Sequence, residues 1–237
     1  MKAQATIAAA LALAGSSVPA DAGCRLGLAL GLDISASIDA GEYRLQREGL
    51  ARALLSPSVE RLFFASGDYW VAIAVYEWSA RRPERVLVDW TPARTRADLV
   101  RAADRIVTAP YGDTIYPTAL GQALGFGSIL LRRAPDCARQ TLDISGDGRN
   151  NHSYPPRTAY REFPFDGVTV NGLAILGAEP DIVAYYRDEV LHGPGAFVEA
   201  ADDFHDFEPA MRRKLERELG APEIAMTLGH PRPDAGG

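Results

Sequence analysis

Apolar runs of strand length alternate along this chain with stretches whose apolar residues recur at helical spacing. Residues 26–32 and 69–78 are nearly continuous apolar runs, the pattern of strands buried on both faces of a parallel sheet. Residues 140–145 and 168–176 read as two further strands, and 85–90 as a short one pairing antiparallel at the sheet edge. Asp39-Ala40-Gly41-Glu42 is a capping-box pattern with Asp39 as N-cap, opening a helix through Tyr43, Leu45, Gln46, Leu50, Ala53 and Leu54 that stops at Ser56-Pro57. A short helix is expected at 59–64. Residues 95–107 are amphipathic, with Leu99, Ala103, Ile106 and Val107 on one face. A helix to about Leu131 follows the loop 111–120, and residues 149–166, rich in Asn, Pro and aromatic residues, read as a long, partly helical insertion. A helix at 181–191, a short strand at 196–199 and a closing helix at 204–219 complete the pattern. The alternating charges of 211–218 read as a solvated face. Strands alternating with helices predict an α/β fold, doubly wound, its mainly parallel sheet covered by helices on both faces.

The 237 residues are 47% apolar, enough for one sizeable core and too few for a comfortable second domain. Net charge is −6 with both signs well mixed, which excludes an electrostatic footprint for nucleic acid or an anionic membrane surface. Lys2, the apolar segment 3–14 and Ala20-Asp21-Ala22 form a secretory signal pattern over residues 1–22. The apolar segment is shorter than the ~20 residues that span a bilayer, so no membrane insertion is expected after cleavage. Asp21 stands where a lipobox before Cys24 wants a bulky apolar residue. The domain is therefore expected over 23–219 in a periplasmic or secreted protein, with 220–237, where Pro and Gly rise, as a disordered tail. Cys24 and Cys137 each precede an expected central strand; in an oxidising compartment they would form one disulfide at the sheet's amino-terminal edge, the alternative being two buried free thiols.

Chemistry concentrates on the loops at the other end of the strands, where open α/β sheets bind ligands. The first strand ends in Asp33-x-Ser35-x-Ser37, whose alternate residues can turn oxygens toward one point, as a hard cation prefers. Thr114 offers a hydroxyl after Gly112, and Asp147 lies in Ser145-Gly146-Asp147-Gly148. These five residues, in this order on these elements, resemble the metal-ion-dependent adhesion site of von Willebrand factor A domains, over about residues 25–219. Glu77-Trp78-Ser79, residues 143–148 and 171–175 look closest to a group of secreted bacterial domains of this kind whose function is uncharacterised. The resemblance implies direct coordination by Ser35 and Ser37, direct or water-mediated coordination by Thr114, and a supporting role for Asp33 and Asp147. It implies Mg²⁺, with Mn²⁺ or Ca²⁺ as alternatives, and a protein partner whose exposed Asp or Glu completes the shell.

Two features depart from the usual pattern. Asp143 lies inside a strand, where a buried carboxylate needs partners, and is assigned either a structural or a supporting role at the site. Pro117 restricts the loop before Thr118, which argues against a conformational switch. Asp113, Asn150 and Asn151 are further candidates for the ligand face. The alternatives to an exported, metal-dependent binding module are a metal-dependent hydrolase using Asp33 and Asp147, with Asp143 and His152 nearby, and a structural domain without metal. The hydrolase lacks a second carboxylate at position 35, and Ser145 lacks the glycines of a nucleophile elbow, so no catalytic residue is assigned.

Overall fold

The computed structural model describes residues 23–80, 83–177 and 179–220. The expected signal segment 1–22 and the expected tail, from 221 onward, lie outside them. One six-stranded sheet is built from β1 (Cys24–Asp33), β2 (Trp70–Trp78), β3 (Arg85–Ala93), β4 (Gln140–Gly146), β5 (Val168–Ile175) and β6 (Val198–Ala201), in the spatial order β3-β2-β1-β4-β5-β6. Every pairing is parallel except that of the edge strand β3, which runs antiparallel to β2. This is the expected doubly wound arrangement.

Alternation along the strands sends side chains to two cores. Leu28, Leu30 and Leu32 of β1, with Ile73 and Val75 of β2, pack under α1 (Ala40–Leu54), α2 (Pro57–Phe63), α3 (Arg96–Thr108) and α7 (Phe207–Gly220). On the opposite face Ala29, Tyr76, Leu142, Ile144 and Val170 meet α4 (Leu120–Leu131), α5 (Pro156–Glu162) and α6 (Ile182–Tyr185). The helix expected over 181–191 is only one α-turn, continuing as a π-helical turn at Tyr186–Val190. Asp39 caps α1 in a complete capping box, accepting from the Gly41 and Glu42 N–H groups.

The expectation for α7 is corrected. Lys214 and Glu218 are buried rather than solvated, because α7 lies across the sheet where Asp143 of β4 needs a counter-charge. Lys214 Nζ stands 2.7 Å from Asp143 Oδ2 and 2.6 Å from Glu218 Oε1, and Asn171 Nδ2 donates to the same Glu218 oxygen (2.7 Å). Burial pushes the Asp143 carboxyl up to about 7, against the pull of Lys214 and with Glu218 adding repulsion. Burial opposes the Lys214 charge, yet the two carboxylates hold its pKa above the ordinary value. Burial explains the first direction, and two carboxylates facing one ammonium explain the second.

Cys24 and Cys137 are joined, their Cα atoms 4.4 Å apart, at the amino ends of the neighbouring β1 and β4. The bond ties the end of the sheet opposite the site described next.

Candidate metal centre

The chain leaves β1 toward β2 on one side and returns to β4 on the other, so the sheet order reverses between β1 and β4. Their carboxyl ends open a crevice. Asp33 closes β1 there. Its carbonyl accepts from Gln46 Nε2 of α1 (2.8 Å), and its Oδ1 accepts from the Ser35 N–H (2.7 Å), an Asx turn that swings the chain around. The turn sets the Ser35 and Ser37 hydroxyls side by side at 3.3 Å. Ser37 Oγ donates to Asp147 Oδ1 (2.8 Å), just past β4. Asp33, Ser35 and Asp147 are buried, while Ser37 opens to solvent.

The threonine that meets this group is Thr118, not Thr114. Thr118 Oγ1 donates to Ser35 Oγ at 3.2 Å, whereas Thr114 is half-buried in the loop and makes no hydrogen bond to Asp33, Ser35, Ser37 or Asp147 among the described residues. The cause is where the loop is fastened. Ala36 N–H donates to the Tyr116 carbonyl (2.8 Å), Ala80 N–H to that of Pro117 (2.8 Å), and the N–H groups of Asn151 and His152 to that of Thr118 (3.0 and 3.1 Å). These bonds fix residues 116–118 against the crevice and leave 114 upstream of it.

Asn150 and Asn151 brace the site from behind. Asn151 Oδ1 accepts from the Thr118 N–H (2.9 Å) and Asn150 Oδ1 from the Gly121 N–H (3.2 Å), satisfying a helix start where Ala119 supplies no side-chain cap. Asp143 lies on the other sheet face with Lys214, away from Asp33. Asp113 is exposed beside the site, lining a cleft of about 570 Å³ with Ile34, Glu77, Arg85 and Tyr111.

Beneath that cleft Glu77 is buried between Tyr43, whose hydroxyl donates to it, and Arg85, which donates through Nε (2.9 Å) and Nη2. Gly112 N–H donates to Tyr43 Oη (3.1 Å), and Arg47 donates to the carbonyls of Ile106 (2.6 Å) and Ala109 (2.8 Å). The network anchors the start of the 109–118 loop. Its apolar tips stay outside: Tyr111 is 63% and Ile115 74% exposed, at the rim.

Electrostatics at the centre are one-sided. Burial, with repulsion from Asp147, holds the Asp33 carboxyl well above the usual range despite the Ser35 N–H bond. Burial raises Asp147 too, opposed by the Ser37 hydroxyl. Asp33 Oδ2 is buried with no hydrogen-bond partner among the described residues, so an added positive charge would answer both the orphaned oxygen and the repulsion. Among the described residues no three or more His, Cys, Asp or Glu side chains cluster to hold an ion. The oxygens gathered here are three hydroxyls, of Ser35, Ser37 and Thr118, and the carboxylates of Asp33 and Asp147. The contacts Ser37–Asp147, Thr118–Ser35 and Ser35–Ser37 measure 2.8, 3.2 and 3.3 Å, close to the ~3 Å between adjacent oxygens of an octahedral Mg²⁺ shell with ~2.1 Å bonds.

With this sheet order and these loops, the protein has the fold of von Willebrand factor A domains. The chain belongs to the family described as "Protein of unknown function (DUF1194)", whose match spans residues 23–223. Solved structures are similar across most of the chain at low identity. Proximal thread matrix protein 1 from the mussel byssus is 15% identical with a TM-score of 0.59, covering 84% of this chain and 47% of its own. The same protein with a zinc-occupied MIDAS motif is 16% identical, with a TM-score of 0.59 over 84% of this chain and 47% of its own. The pilus adhesin SpaC from Lactobacillus rhamnosus GG is 13% identical with a TM-score of 0.60, covering 83% of this chain and 31% of its own. A von Willebrand factor type A protein from Catenulispora acidiphila is 17% identical with a TM-score of 0.55, covering 84% and 43%. The chain thus spans less than half the length of these structures. No protein of curated function matches the sequence. The mussel neighbour is a thread matrix protein and SpaC a pilus adhesin, and no described helix is long and apolar enough to cross a membrane.

Proposed function

We propose that the protein is an exported, metal-dependent protein-binding module. Ser35, Ser37 and Thr118 hold a divalent cation, Mg²⁺ or its near equivalent Mn²⁺, with Asp33 and Asp147 behind them; the zinc-occupied motif of the mussel relative supports a divalent ion at such a site. The observation that carries this reading is the row of four oxygens, Thr118 Oγ1, Ser35 Oγ, Ser37 Oγ and Asp147 Oδ1, linked at about 3 Å spacing beside Asp33, whose Oδ2 is buried and unpartnered. Bound there, the ion would keep much of its charge, since most of its ligands are neutral hydroxyls, and would take a partner's Asp or Glu carboxylate. Ser37 opens that position to solvent, and the exposed Tyr111 and Ile115 offer apolar contact to residues flanking the partner's acid. Export rests on the leader pattern of residues 1–22.

Water-proton relaxation on the Mn²⁺-loaded chain tests the carboxylate step. A peptide carrying a central Asp should displace ion-bound water and lower the relaxation enhancement, while its Asn counterpart should not. Equal effects of the two peptides would contradict the reading.

A further inference from the structure

Behind the proposed metal centre, a second buried oxygen stands without a partner. The Tyr186 hydroxyl is fully buried and, among the described residues, accepts or donates no hydrogen bond, as is the case for Asp33 Oδ2. The two atoms face the same notch. A Cβ built on Gly146 would lie 2.7 Å from Asp33 Oδ2 and 2.8 Å from the Tyr186 hydroxyl, so both oxygens crowd the place a side chain at 146 would take and stand beside each other there.

The approach of this ring is built into the fold at three places. Gly172 of β5 clears its flank, since a Cβ there would stand 2.6 Å from Tyr186 Cδ1. Gly146 of β4 clears its tip. The π-helical turn begins at Tyr186, where α6 widens and the ring drops onto the sheet face that Asp33 also occupies. Burying a phenol without satisfying it costs stability, and Phe would fill the same apolar volume at no such cost. A hydroxyl kept there needs another explanation. The charges facing it are Asp33 and Asp147, both of which, after burial, disfavour its ionisation. It is therefore a neutral hydroxyl standing beside the Asp33 carboxyl.

Resting on the metal-binding reading above, we propose that Tyr186 is a positioning residue for the cation. With the cation bound, its hydroxyl turns to donate to Oδ2 of the charged Asp33 and fixes the carboxylate behind the hydroxyl ligands. Oδ1 is already held by the Ser35 N–H (2.7 Å), so a bond on Oδ2 leaves the carboxylate no freedom to rotate. It also favours the charged form that the ion requires.

The test is calorimetric titration of Mn²⁺ into the chelator-treated full chain and its Tyr186→Phe variant, with Tyr160→Phe as the control. Tyr160 is another buried tyrosine, but its hydroxyl bonds the Val190 carbonyl, away from the centre. Tyr186→Phe should bind Mn²⁺ about tenfold or more weakly, the usual cost of losing a partner behind a ligand, with an unchanged metal-free melting temperature. Tyr160→Phe should bind as wild type does. A second readout keeps a poorly folding variant from deciding the matter: Mn²⁺ should perturb the tyrosine ultraviolet absorbance of the wild-type chain in proportion to site occupancy. Wild-type binding with an unaltered Tyr186→Phe affinity, or with no tyrosine signal, overturns the role of Tyr186 alone. Absence of binding by the wild-type chain overturns this role and the metal reading together.

Discussion

Thr118 reaches across from the start of α4 to donate its hydroxyl to Ser35 Oγ at 3.2 Å, which joins the second loop of the crevice to the first. If these oxygens surround a cation, Thr118→Ala removes one ligand and should weaken Mg²⁺ binding by about tenfold or more. Thr114→Ala should leave the affinity unchanged. Calorimetric titration of the two variants checks the assignment, and the opposite ranking would restore Thr114.

The buried group around Lys214 predicts a pH dependence. The Asp143 carboxyl has its proton favoured in the fold, its pKa raised by burial from 3.8 to about 7. Between those values the folded chain binds more protons than the unfolded one, so this residue's contribution falls as pH rises, by at most about 1.4 kcal/mol per pH unit. Asp33 and Asp147 are shifted in the same direction, so a variant must isolate the effect. Urea unfolding in chelator should show wild type losing about 1 kcal/mol or more relative to Asp143→Asn between about pH 5 and pH 7. Parallel profiles would contradict the account.

The disulfide should matter for stability and not for the site. Cys24 and Cys137 lie 113 residues apart in sequence and are joined at the amino-terminal end of the sheet. Replacing both with Ser should cost about 2–5 kcal/mol in denaturant unfolding. Mg²⁺ affinity of the folded variant should stay at the wild-type value, because the crevice lies at the opposite strand ends.

How much of this could be read from the sequence followed from how local each signal is. The strands of the buried sheet, the Asp39 capping box and the Asp33-x-Ser35-x-Ser37 turn are short-range patterns, and the structure places them within a few residues of expectation. That Thr118 rather than Thr114 contacts Ser35 was not legible, because it depends on where three other loops fasten residues 116–118. Its place immediately before the helix start, following Pro117, was the available clue. Lys214 was misread because an alternating charge run looks the same on a solvated helix and on one carrying a buried pair. Asp143, set within a strand, was the sign that a counter-charge had to come from somewhere. The asparagines at 150 and 151 drew attention as polar loop residues, yet their oxygens hold backbone N–H groups of the α4 entry. Tyr186 gave no sequence signal, since its role depends on two glycines in strands far from it in the chain.

The central claim is that hydroxyls at 35, 37 and 118 hold a divalent ion. Isothermal titration of Mg²⁺ and Mn²⁺ into the chelator-treated chain, beside a Ser35→Ala, Ser37→Ala double variant, tests it most directly. The account predicts one site per chain that the double variant abolishes while its metal-free melting temperature stays close to wild type. Binding that survives in the double variant, or no binding by the wild-type chain at millimolar metal, would contradict it.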